Sequence, residues 1–186
     1  MSVVAVAAQP CLRPNRDRGV GFLIADGIVA TAAHTVDGPR RELTVDGRPA
    51  EVLRIDVRLD TALLAVDLPG VVAELTDAPV GAATVRTPAG EQAVTVRSTG
   101  MLVVTNVSDH TRVEREVHTF SPGVPDGTSG APLVDAAGRV VGMVQLDRDG
   151  STLADAVTAA ELATLLDDDH GGHDGGPGPA VGCDRG

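Results

Sequence analysis

The sequence contains no lysine, no tryptophan and no tyrosine, and only two phenylalanines and two cysteines in 186 residues. All 15 basic side chains are therefore arginine, a bias that reads first as the mark of a GC-rich genome. The absence also excludes Ser–Lys dyads and Schiff-base lysines. With aromatics at 1%, a core must be assembled from Val, Ala, Leu and Ile, and the 42% hydrophobic content suffices for one. No basic patch is present. The net charge of −11 and pI near 4.7 exclude the usual footprint of a nucleic-acid partner and favour solubility. No apolar run is long enough to span a membrane. The run Val3-Val4-Ala5-Val6-Ala7-Ala8 is too short for a signal peptide and lacks a basic segment before it, which taken literally implies a cytoplasmic product.

Cys11 and Cys183 have neither a close His nor a CxxC spacing, so a zinc or redox motif is not indicated. A disulfide between them would close nearly the whole chain and imply an oxidising, extracytoplasmic compartment. Two unrelated thiols fit the composition equally well. His170 and His173 lie in a Gly- and Pro-rich stretch that reads as a flexible tail rather than a metal site. No cofactor is implied, and no feature specifies an oligomeric state.

Short apolar runs separated by Gly, Pro and Asp turns predict an all-β chain. Strands are expected at 3–8, 20–24, 28–31, 42–45, 50–55 and 61–66. A second set is expected at 82–87, 93–97, 101–107, 112–120, 132–134, 140–146 and 152–157. Asp26-Gly27, Asp46-Gly47 and Asp149-Gly150 are hairpin signals. One helix is expected at 159–166 with Thr158 as its N-cap. Residues 67–79 read as a connector between two halves. Repeated short strands at this spacing point to barrels or a sandwich.

The chemistry concentrates in three segments. Asp126-Gly127-Thr128-Ser129-Gly130-Ala131-Pro132 sets a serine between glycines before an apolar run. Thr31-Ala32-Ala33-His34 and Leu59-Asp60-Thr61-Ala62-Leu63-Leu64 precede it. A serine hydroxyl is a weak nucleophile at neutral pH and needs a base to take its proton and a third group to orient that base. His34, Asp60 and Ser129 supply those types. The backbone N–H groups of Gly127 and Ser129 are the expected oxyanion donors, and glycine permits the concave turn they need.

These segments resemble trypsin-like serine peptidases of the chymotrypsin fold. Gly19-Val20-Gly21-Phe22-Leu23-Ile24 and Gly138-Arg139-Val140-Val141-Gly142-Met143-Val144 complete the family order. The short spacings resemble bacterial HtrA-type peptidases and, more closely, the protease domain of membrane-anchored acid-resistance enzymes of the MarP type. The resemblance implies two antiparallel six-stranded β-barrels, about 1–70 and 80–157, with helix 159–166 closing a peptidase domain over 1–168 and a tail at 169–186. It places His34 and Asp60 on the first barrel and Ser129 on the second, and it implies a Cys11–Cys183 disulfide. The substrate, a protein or peptide, would lie across the cleft as an added strand. Gly123 falls near the base of the P1 pocket, with Gln145, Leu146 and Asp147 along its wall and Asp155 approaching it. No carboxylate occupies the base, so small or medium apolar P1 side chains are expected.

Departures from the family pattern limit what carries over. Thr128 stands where digestive members carry an Asp that pairs with a freed N-terminus, and the Ile-Val-Gly-Gly start is absent, so activation through that ion pair is not available. Ala131 replaces a common Gly. A catalytically weak peptide-binding module on the same cleft is the alternative function. Among rivals, Asp56 lacks the Ala-Leu-Leu strand after it. His118 alternates with strand residues and reads as structural. His110 reads as an exposed turn residue, and Ser98, Ser108, Ser121 and Ser151 lack the glycine frame.

Overall fold

In the computed structural model, residues 1–12, 14–77, 81–105, 111–147, 152–166 and 183 are described, those at 146 and 147 for their backbone only. Six strands form the first unit: β1 (Val3–Pro10), β2 (Asp17–Ala25), β3 (Ile28–Ala32), β4 (Arg40–Val45), β5 (Arg48–Asp56) and β6 (Thr61–Val66). A one-turn helix, α1 (Ala33–Val36), follows β3. The second unit holds β7 (Ala82–Thr87), β8 (Gly90–Thr105), β9 (Arg112–Ser121), β10 (Pro132–Val134), β11 (Val140–Asp147) and β12 (Ala154–Thr158), followed by α2 (Ala159–Ala163). Each set closes into an antiparallel barrel, in the orders β1-β2-β3-β6-β5-β4 and β10-β11-β12-β9-β8-β7. Closure removes the unpaired edges that would otherwise invite aggregation.

Three apolar clusters explain the burial pattern. Val4, Val6, Leu23, Val29 and Leu64 fill the first barrel, and Phe120, Leu133, Val141 and Val144 the second. The third cluster lies between the barrels and includes Phe22, Ile24, Leu59, Leu63, Met143 and Leu162. Strands β2, β3 and β6 therefore bury both faces along much of their length and lose the simple in–out alternation. Both phenylalanines are fully buried, one between the barrels and one inside the second. The segment after β6 laces the barrels together: Ala73 N donates to Leu23 O at 2.7 Å and Val140 N to Glu74 O at 2.8 Å.

The expected strands at 93–97 and 101–107 fall in one strand, β8, which is described as far as Thr105; residues 106 and 107 lie outside the described residues. The Ser98-Thr99-Gly100 step shifts register between Val96 and Ser98 but does not end the ladder, which runs on to Thr105 opposite Arg112. The helix is also shorter than expected. Thr158 caps it by accepting from Glu161 N, but Thr164, Leu165 and Leu166 donate to carbonyls three residues back, which tightens the last turn. The Asp149-Gly150 turn lies outside the described residues.

Cys11 and Cys183 form a disulfide across a sequence separation of 172. Cross-linking so long a loop stabilises by up to ~5 kcal/mol in the chain-entropy model. Cys11→Ser is expected to lower the unfolding free energy by about 2–4 kcal/mol, read from the urea midpoint under oxidising conditions. An unchanged midpoint would show that the cross-link contributes nothing.

Candidate active site

His34 sits on α1, two residues past the end of β3, and is clamped to the loop that precedes β6. Its backbone N–H donates to Asp60 Oδ1 at 2.9 Å, and Nδ1 lies 2.7 Å from Asp60 Oδ2. A carboxylate only accepts, so Nδ1 carries the proton and the Nε2 lone pair is left free. Ala33 N donates to Asp60 O at 2.9 Å, which binds the two segments a third time. Asp60 is fully buried and has a left-handed backbone, φ 51°. Asp and Asn tolerate that region better than most residues. Asp56, the rival, accepts from Leu59 N at 2.8 Å and so braces the turn.

Ser129 enters from the second barrel, on the loop between β9 and β10. Its carbonyl accepts from Val20 N at 2.8 Å, which ties the loop to the first barrel. Gly130 N donates to Val144 O at 2.7 Å. Gly130 has φ +86°, and a Cβ there would run into Val20 O and lie 2.7 Å from Thr31 Oγ1. Only glycine fits this crossing. Thr128 turns inward, donating both its N–H and its hydroxyl to Pro125 O. Gly127 has φ +82°. Among the described residues, the N–H groups of Gly127 and Ser129 donate to no protein acceptor. The Ser129 hydroxyl donates to Gln145 O at 3.1 Å rather than to His34.

A buried polar bridge, not foreseen from the sequence, joins this loop to Asp60. Arg115 Nη1 donates to Gln145 Oε1 at 2.7 Å, and Gln145 Nε2 donates to Asp60 O at 3.2 Å. Arg115 is only 2% exposed. Burial pushes its guanidinium below the ordinary value, and the nearby Asp60 charge acts against that. The available signal was phase: Arg115 shares an alternation with Val113 and Val117 on β9, where an apolar residue is expected. Gln145 was expected along the wall of the P1 pocket. Its side chain is buried and bonded inward, so only its carbonyl faces the serine.

Of the other residues expected around the P1 side chain, Gly123 is partly exposed; it donates to Thr152 O and accepts from Gln92 Nε2 at 2.9 Å. The side chains of Leu146 and Asp147 lie outside the described residues. Asp155 is buried and accepts from Thr119 Oγ1 at 2.7 Å. A cavity of about 450 Å³ flanks the serine loop, lined by Gly19, Val20, Val85, Val124, Pro125 and Gly127 among others, and contains none of His34, Asp60 and Ser129.

His118 has both ring nitrogens engaged, Nε2–H donating to Val141 O at 3.1 Å and Nδ1 accepting from the Thr99 hydroxyl at 2.7 Å. Burial holds its imidazole below the ordinary histidine range, which suits a neutral structural residue. Arg58, just ahead of Asp60, pairs with Glu161 of α2 at 3.0 Å. Burial would raise the Glu161 carboxyl, but the hydrogen bonds from Arg58 and from Glu116 N–H, with the charges of Arg58 and Arg115, together outweigh it and hold the group below its usual value. Ser121 accepts from Arg97 Nε. His110, Ser108, Ser151, His170 and His173 lie outside the described residues. Among the described residues no cluster of three metal-ligating side chains occurs, and no helix is long and apolar enough to cross a membrane.

The paired barrels and the serine loop pinned between them are the architecture of trypsin-like peptidases. The profile of the trypsin-like peptidase domain matches residues 19–143, and the chain belongs to that family. It is 32% identical to the serine protease Rv3671c of Mycobacterium tuberculosis strain H37Rv over 170 residues, covering 80% of this chain and 41% of that protein. The chain thus spans about two-fifths of the length of the curated relatives it matches. The crystal structure of the active form of the Rv3671c protease superposes with a TM-score of 0.79 at 28% identity, covering 98% of this chain and 85% of that one. The HtrA-type protease AlgW, solved with a decapeptide, shares the fold: TM-score 0.65, 17% identity, 88% of this chain and 63% of that one.

Proposed function

We propose that this chain is a serine endopeptidase in which Ser129 is the nucleophile, His34 the general base and Asp60 the group that orients it. The observation that carries the reading is the double hydrogen bond of Asp60 to His34, which leaves Nε2 as a lone pair beside the serine loop. In this reading the Ser129 hydroxyl leaves Gln145 O and donates to that nitrogen instead. Oγ then attacks the peptide carbonyl carbon while its proton passes to Nε2. The N–H groups of Gly127 and Ser129 receive the oxyanion; each such donor is typically worth ~100- to 1000-fold in rate. As the C–N bond breaks, His34 returns the proton to the leaving amine, and water hydrolyses the acyl-enzyme by the same route. The substrate is a peptide lying across the cleft, with a small or medium apolar side chain at P1.

The alternative, a latent or peptide-binding module, is favoured by one observation: the Ser129 hydroxyl rests on Gln145 O. A fluorophosphonate probe read by intact mass, with peptidyl phosphonates bearing Ala, Val or Arg at P1, separates the two. Labelling is expected in the native protein, lost in Ser129→Ala and His34→Ala, and faster with Ala or Val than with Arg. A folded native protein that does not label supports the latent module, and faster labelling by the Arg reagent overturns the apolar preference.

A further inference from the structure

Arg115 is the largest fully buried side chain among the described residues, and it is a cation. Among the described residues, its side-chain hydrogen-bond partner is the Gln145 amide oxygen, a neutral acceptor. The other end of that amide donates to Asp60 O, and the Gln145 carbonyl holds the Ser129 hydroxyl. One residue therefore touches both halves of the site, and Arg115 sets its orientation. A glutamine amide can flip, exchanging donor and acceptor ends. Arg115 only donates, so it locks Oε1 toward itself and Nε2 toward Asp60.

We infer that Arg115 is a positioning residue, which through Gln145 fixes Asp60 against His34 and whose buried charge offsets that of the Asp60 carboxylate. The inference rests on the triad reading above. The charges that face Arg115 are Asp56 from the end of β5, Arg58 and Asp60 from the loop before β6, Asp155 from β12 and Glu161 from α2. Arg58 is committed to Glu161 by a direct ion pair, and Asp56 to Leu59 N. Asp60 heads the attractive set at Arg115. Gln145 reaches the Asp60 backbone carbonyl and the carboxylate faces His34, so the Arg115 charge acts on that carboxylate through space, at the low effective dielectric of a buried site. Losing the cation leaves the Asp60 charge to act fully on His34, which favours the protonated ring and removes the base that Ser129 needs.

The test is an NMR titration of the His34 ring in the native protein, Arg115→Met and Arg115→Lys, with fluorophosphonate labelling rates on the same samples. In Arg115→Met the His34 titration is expected to move to higher pH by about half a unit or more, and the acid limb of labelling to move with it. Arg115→Lys keeps the charge and is expected to titrate within about 0.2 unit of the native protein. A folded Arg115→Met that titrates and labels like the native protein overturns the inference. Should Arg115→Met not fold, Gln145→Leu decides: it removes the bridge and keeps the cation, and labelling is expected to fall about tenfold. A native labelling rate in Gln145→Leu overturns the inference. The titration needs no turnover, so a native protein that fails to label counts against the triad while His34 still reports on Arg115.

Discussion

Asp60→Asn is expected to lower the rate of labelling and of peptide hydrolysis by about four orders of magnitude with the fold intact, as the same replacement does in Ser-His-Asp triads. The backbone N–H of His34 already donates to Oδ1, so an asparagine keeps its carbonyl oxygen there and turns its NH₂ toward Nδ1. Nδ1 must then accept, which moves the ring proton to Nε2. An imidazole protonated at Nε2 cannot take the proton of Ser129. Asparagine also tolerates the φ of 51° at this position, so stability should fall little. Circular dichroism and thermal melts check the fold, and rates per site check the chemistry. Activity within about tenfold of native would remove Asp60 from its assigned role.

Gly130→Ala is expected to cost more than about 3 kcal/mol and to abolish labelling. The added methyl has no room, because Val20 O, Thr31 Oγ1 and Ala32 N surround the position, and the φ of +86° penalises any side chain besides. Those neighbours form the contact where the serine loop meets the first barrel, so relief of the clash must separate Ser129 from His34. Gly127→Ala is the control. Its φ is +82° but nothing lies within 4 Å of the added carbon, so only about 1 kcal/mol of backbone strain is expected. Urea denaturation of both variants measures the contrast. Equal costs would mean that backbone strain, not the crossing of the loops, makes glycine necessary at 130.

Much of this architecture is local and therefore legible along the chain. Alternating Val4, Val6 and Ala8 declare β1, and Thr158 declares the start of α2, because side-chain period and capping act over a few residues. The glycine frame marks Ser129, and the motifs around His34 and Asp60 mark their partners. Local signals divide β8 in two at the Ser98-Thr99-Gly100 step, since only pairing with β9 shows that the strand continues. Composition left the cysteines undecided; the disulfide joins positions 172 apart, a proximity that only the folded chain creates. The burial of Arg115, the inward turn of Gln145 and the rest of Ser129 on a carbonyl are likewise settled where two barrels meet. Local order along the chain carried two sets of strands, the serine loop and the candidate residues for the chemistry. Which of their atoms touch emerges only on folding, because contacts between barrels depend on closure and packing across the whole chain.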